Sequence, residues 1–220
     1  MAHIKDLGRR IELVSMDPHC HDISIGLYER SGPAGGPEFL VHTYSRHEDA
    51  AARIDAVTAA MAALGGMAAV DGDARGLRFP CGNEHRAAVK RIFLEACKLA
   101  PSADVVARPL TIHDKKSGLE IEAAHAGEGC YRLGAAGEAE GSERRVAAVT
   151  RGLMKLAEMQ PVADSYDSVA FDCGQAHDAL VGLLLGRALN VRAAIREIEE
   201  AASRGMLAAP GAQDSGPVSF

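Results

Sequence analysis

Residues 53–100 align with residues 145–192 at a constant offset of 92 and without a gap, and 14 of the 48 pairs are identical. A chain that repeats its own pattern over such a length is restricted to folds with two similar halves, because equivalent patterns bury equivalent faces. The identities include Arg53/Arg145, Ala56-Val57-Thr58 against Ala148-Val149-Thr150, Leu64/Leu156, Met67/Met159 and Phe79/Phe171. Above all, Cys81-Gly82-x-x-His85 recurs as Cys173-Gly174-x-x-His177.

The segments Arg10–Met16 and Asp22–Glu29 alternate as strands and should pair as a hairpin. A Gly/Pro loop over 31–38 leads to a third strand at Phe39–Tyr44. From Glu48 to Leu64 the period becomes helical, with Ile54, Val57, Met61 and Leu64 on one stripe that ends at Gly65-Gly66. A strand at Leu77–Pro80 and a helix at Asn83–Leu99 complete the unit. The second half predicts strands near Val105–His113, Leu119–Ala124 and Cys130–Leu133, then a helix at Ser142–Met159, a strand at Ser168–Asp172 and a helix at Gln175–Leu189.

The expected fold is therefore α+β. Two β-β-β-α-β-α units are related by a pseudo-two-fold, with mainly antiparallel sheets carrying helices on one side. The first repeat spans 1–101, the second 102–206 including an extra C-terminal helix over Val191–Arg204, and 207–220 is expected to be a flexible tail. The first half is four residues longer between Ile23 and Arg53 than the second between Leu119 and Arg145, an excess that its Gly/Pro loop can absorb. Gly182 and Gly186 allow a close backbone approach, expected from the C-terminal helix.

Composition narrows the function classes. An apolar fraction of 47% with 25% charged residues suits a folded core, and no run approaches the ~20 apolar residues of a membrane helix. A net charge of −6 without a basic run gives no attraction to phosphate backbones or anionic lipid, so neither nucleic acid nor membrane is an expected partner. Met1–Asp6 lacks the apolar core of a signal peptide, so a cytoplasmic location is expected, with Cys20, Cys81, Cys97, Cys130 and Cys173 reduced. Nucleotide fingerprints, P-loops, His-Glu-x-x-His and Gly-x-Ser-x-Gly are all missing from the sequence. Glu120 and Glu122 share the outward face of an alternating strand and are expected to be solvated.

Each Cys-Gly-x-x-His lies where a strand turns into a helix. If cysteine and histidine are both helical, their i, i+4 spacing makes them neighbours one turn apart. Three readings follow. Cys81, His85, Cys173 and His177 can converge on one tetrahedral two-sulfur, two-nitrogen site for zinc or another transition metal. Alternatively, His177 activates Cys173 as a nucleophile with Asp172 orienting it, in acyl or related transfer; Pro80 replaces Asp172 in the first copy. In the third, the cysteine is a small apolar residue at a tight turn, the histidine is a satisfied core residue, and the protein is an assembly module without chemistry. A second cluster, Asp17-Pro18-His19-Cys20-His21-Asp22, can direct His19 and His21 to one ion if the second strand begins early. The favoured function is metal or small-molecule ligand binding between the two motifs. A homo-oligomer is compatible with the sequence.

Overall fold

A computed structural model describes residues 7–32, 35–115, 118–136 and 141–190. The expected C-terminal helix and tail lie outside the described residues. In the first half β1 (Arg9–Val14), β2 (Ile25–Ser31) and β3 (Pro37–His42) precede α1 (Ala50–Gly65), β4 (Ala68–Val70), β5 (Asp73–Arg78) and α2 (Arg86–Lys98). In the second, β6 (Thr111–Asp114), β7 (Leu119–Gly127) and β8 (Cys130–Ala136) precede α3 (Ser142–Ala157), β9 (Gln160–Pro161), β10 (Ser168–Ala170) and α4 (Asp178–Ala188).

The fold is α+β with two similar halves, but each half holds one strand more than its sequence pattern suggests. The order is β-β-β-α-β-β-α. The added strands β4 and β9 are only three and two residues long, too short to display an alternation. One sheet runs β1-β2-β3-β5-β4 and the other β6-β7-β8-β10-β9. All strand pairings are antiparallel. Tyr28 pairs with Leu40 in the first sheet and Ala124 with Arg132 in the second. These registers place the four extra residues inside the β2–β3 loop.

Helical periodicity dictates the core. Ile54, Val57, Met61 and Leu64 of α1 and their equivalents Val146, Val149, Leu153 and Leu156 of α3 are all at most 4% exposed. Contacts of α1 with α4, and of α2 with α3 and α4, join the two halves through their helices. Glu120 and Glu122 are exposed, as alternation predicts. No helix among the described residues is long and apolar enough to cross a membrane.

The helix α4, apolar on most of its circumference, buries Gly182 against the chain entering the second half. A Cβ at Gly182 would lie 2.2 Å from the Arg108 carbonyl oxygen, and one at Gly186 3.1 Å from Ile112 Cδ1. Among the described residues, the chain leading into β6 makes a close approach to this face; the C-terminal helix expected there lies outside them. Val105–Leu110, expected to belong to the first strand of this half, form no strand, and the sheet begins at Thr111.

The repeated arginine pins each half together. Arg53 is 3% exposed and meets the fully buried Asp17 through Nε at 3.0 Å and through its NH2 nitrogen at 2.8 Å. The same NH2 nitrogen donates to the Cys97 carbonyl at 2.6 Å. Its equivalent Arg145 donates to Asp114 Oδ2 at 2.6 Å and to the Leu189 carbonyl at 3.4 Å. Leu189 is the positional equivalent of Cys97, so each arginine joins the first hairpin to the far end of the last helix in its half.

Candidate metal centre

Each Cys-Gly-x-x-His is a turn rather than a helical pair. The Gly82 N–H donates to the Phe79 carbonyl at 3.0 Å, and the Gly174 N–H to the Phe171 carbonyl at 3.0 Å. Both glycines are left-handed, with φ of 78° and 68°, a conformation that costs a side-chain-bearing residue about 1–2 kcal/mol. Turning the chain there aims the next free N–H groups at sulfur: Asn83 N lies 3.4 Å from Cys81 Sγ and Gln175 N 3.5 Å from Cys173 Sγ. The helices start only at Arg86 and Asp178, leaving His85 and His177 as their N-cap residues. The expectation that cysteine and histidine adjoin across one helical turn is therefore corrected. The reversal brings Cys81 Sγ to 3.2 Å from His85 Nε2, and Cys173 Sγ to 3.2 Å from His177 Nε2.

Across the halves the two pairs meet. The two sulfurs and two ring nitrogens all lie within 4.8 Å of one another. The imidazole centroids of His85 and His177 are 4.6 Å apart at 71°. Phe79 and Phe171, identical in the sequence alignment, wall the group: each ring packs edge-on against both histidines, at centroid distances of 4.8–5.7 Å. Burial disfavours charge on the imidazoles. It lowers the His177 pKa to about 4, reinforced by neighbouring His85 and opposed by Asp178. Burial also lowers that of His85, against the pull of Glu158 and Asp172. Burial raises the Cys81 thiol, opposed by the Asn83 N–H and reinforced by the Cys173 sulfur. Neutral imidazoles retain the ring lone pair that a metal requires.

The halves differ around this group. His177 is 6% exposed, and its backbone N–H donates to the Tyr131 hydroxyl at 2.7 Å; that hydroxyl donates to Asp178 Oδ1 at 2.6 Å. Phe39 stands at the equivalent position of the first sheet, pairing with Leu77 as Tyr131 pairs with Val169. His85 is half-buried and held in a left-handed conformation, φ 38°, while His177 has φ −130°. It borders a cleft of about 400 Å³ shared with Gly35, Gly36, Gly82, Glu158 and Asp172. In the second half Gly129, the positional equivalent of Pro37 at the cleft, packs tightly on the turn: a Cβ there would lie 2.8 Å from the Gln175 carbonyl oxygen.

Sequence reasoning did not find Tyr131, Asp178 or Glu158. The only trace of Tyr131 is a Phe-to-Tyr difference between halves, outside the aligned segment. Glu158 adopts φ 56° where its equivalent Gly66 has φ 60°, a glycine-type conformation that a glutamate occupies at some cost in strain. Asp172, placed by sequence reasoning beside His177, is exposed and lines the cleft, where its charge acts on His85 instead. The polar neighbour of the His177 ring nitrogen Nε2 is Cys173 Sγ, at 3.2 Å.

The hairpin cluster resolves differently. Asp17 is committed to Arg53 and accepts the N–H groups of His19 and Cys20, both at 3.0 Å. His19 Nε2 contacts the Lys98 carbonyl at 2.9 Å, and His21 is exposed. The structure gathers Cys20 with His47 and Asp49 instead, within 4.8 Å. In that group His47 Nδ1 already accepts the Asp49 N–H at 3.2 Å. His19 and His21 belong to neither grouping.

These features define an α+β protein of two similar halves with a Cys/His group of metal-binding composition at their junction. The chain matches no known protein-family model, no curated protein and no solved structure.

Proposed function

We propose that the protein binds a zinc ion through Cys81, His85, Cys173 and His177, and that the ion fastens its two halves together. The observation that carries this reading is the convergence of all four donors within 4.8 Å from two segments 92 residues apart. An ion with Zn–S near 2.3 Å and Zn–N near 2.0–2.1 Å at tetrahedral angles spaces its donors by roughly 3.3–3.8 Å. The 3.2 Å sulfur–nitrogen contacts within each half are close to that spacing. Two thiolates and two imidazoles are a donor set that zinc favours, and four protein ligands leave no open position, as in structural rather than catalytic centres. The Asn83 and Gln175 N–H groups support negative charge on the sulfurs, and Tyr131 fixes the backbone from which His177 projects.

Elemental analysis of protein purified without a metal-affinity tag should give close to one zinc per chain. Cobalt substitution should give the intense visible bands of a tetrahedral thiolate site, lost in Cys81→Ser and in Cys173→Ser. Protein without bound metal that takes up neither ion would reject the reading. If Cys173 in that protein also outpaces Cys97 in alkylation, the thiol-enzyme alternative takes its place.

A further inference from the structure

We propose that Cys81 and Cys173 are a reversible oxidation site, and that a disulfide between them replaces the metal as the link between the halves. This rests on the zinc reading above and concerns its regulation. Among the five cysteines, only these two are gathered into one group, with their sulfurs within 4.8 Å. Both are half-buried, and both sit on turns ahead of a helix rather than inside helix or strand. The turns can therefore adjust while the sulfurs close to the ~2.05 Å of a disulfide. Cys97 is 2% exposed and burial pushes its thiol up to about 12, which removes it as a competing nucleophile. Cys20 lies with His47 and Asp49, outside the cluster.

The oxidant is of the peroxide class. One thiolate attacks a peroxide oxygen and breaks the O–O bond, giving a sulfenic acid and, after protonation from solvent, water. The second thiolate attacks the sulfenic sulfur, forming the S–S bond and expelling the oxygen as a second water. Two sulfurs lose one electron each, hydrogen peroxide gains both, and two protons come from solvent. The disulfide sulfurs no longer offer thiolate charge, so zinc is left with two imidazoles and dissociates. A thiol reductant reverses the change.

The test treats zinc-loaded full-length protein with hydrogen peroxide. A chromogenic chelator follows released zinc while denaturing alkylation and mass spectrometry follow the thiols. The expected result is one zinc released per 2 Da lost and three alkylatable cysteines in place of five. A single cross-linked peptide pair should contain Cys81 and Cys173, and dithiothreitol should restore zinc binding. Cys20→Ser and Cys130→Ser should leave this behaviour unchanged. Zinc that stays bound, or that leaves while the two sulfurs become separate sulfinic acids 32 Da heavier, overturns the inference and leaves the zinc reading intact. A chain that takes up no zinc overturns both, and elemental analysis shows this before any oxidant is added.

Discussion

The Tyr131 hydroxyl accepts the backbone N–H of His177 at 2.7 Å, tying a buried position on β8 to the start of α4. Tyr131→Phe removes that acceptor and the donor to Asp178 while leaving ring packing in place. An unsatisfied buried N–H costs about 1–3 kcal/mol. We expect a loss of that size in urea denaturation of metal-free protein, and about tenfold weaker zinc binding by chelator competition. Phe39→Tyr in the first half should yield no matching gain. Unchanged affinity in Tyr131→Phe would show that the hydroxyl does not position His177.

Arg53 and Arg145 have the same role in different surroundings. Breaking a buried pair strands its partner, at about 3–5 kcal/mol. Arg53→Met should approach that cost, since Asp17 is fully buried. Arg145→Met should cost clearly less, because the Arg145 side chain is 27% exposed against 3% for Arg53, so its pair with Asp114 is already partly screened by water. Equal losses would contradict the burial difference. Arg53 and Arg145 are among the identities of the repeat, so their presence was visible in the sequence; their role was not, because the acid each meets lies 36 and 31 residues away.

Two glycines on one helix should respond with opposite signs. Gly182→Ala forces a methyl onto the Arg108 backbone oxygen, 2.2 Å from the ideal Cβ, and should destabilise by about 1–3 kcal/mol. Among the described residues, Gly186→Ala meets only the tip of the Ile112 side chain at 3.1 Å. There a gain of up to about 1 kcal/mol in helix propensity should dominate. Thermal melts of the two variants decide this. Helical spacing revealed that something passes close to this face. It could not say which segment, because only the path of the chain brings residues 108–112 there.

Acid should loosen the metal-free protein in a defined window. The folded-state pKa of His177 lies at about 4, below its ordinary 6.5, so the unfolded chain takes up the proton first as pH falls. The contribution of a neutral His177 is complete above about pH 6.5 and declines between about 6.5 and 4, by roughly 3 kcal/mol in all. His177→Gln, measured in excess chelator, should flatten this part of the stability profile. An equally steep profile in the variant would assign the effect elsewhere.

Zinc removal should itself destabilise. A ligand held at a thousand times its Kd adds about 4 kcal/mol to the folded state. Chelation should therefore lower the melting temperature of the wild type and leave Cys81→Ser unmoved.

The features most legible in the sequence were those that repeat. The helical stripes and the Cys-Gly-x-x-His pair each appear twice, and matched patterns bury matched faces. What escaped were features belonging to one half only, such as Tyr131 beneath His177 and Glu158 at the cleft. The backbone that joins Cys81 to His85 also escaped, since the same i, i+4 spacing can be met by a helix or by a glycine turn.

Glu95 of α2 and Arg187 of α4 form an ion pair across the junction of the halves, and in the alignment they occupy the same position. Two identical copies packed in this way would set like charge against like at that point. The bond exists only because the copies differ, so each half carries at this position a mark of which neighbour it accepts. The two similar halves are thus not interchangeable parts, and a chain assembled from either one twice would lose this contact.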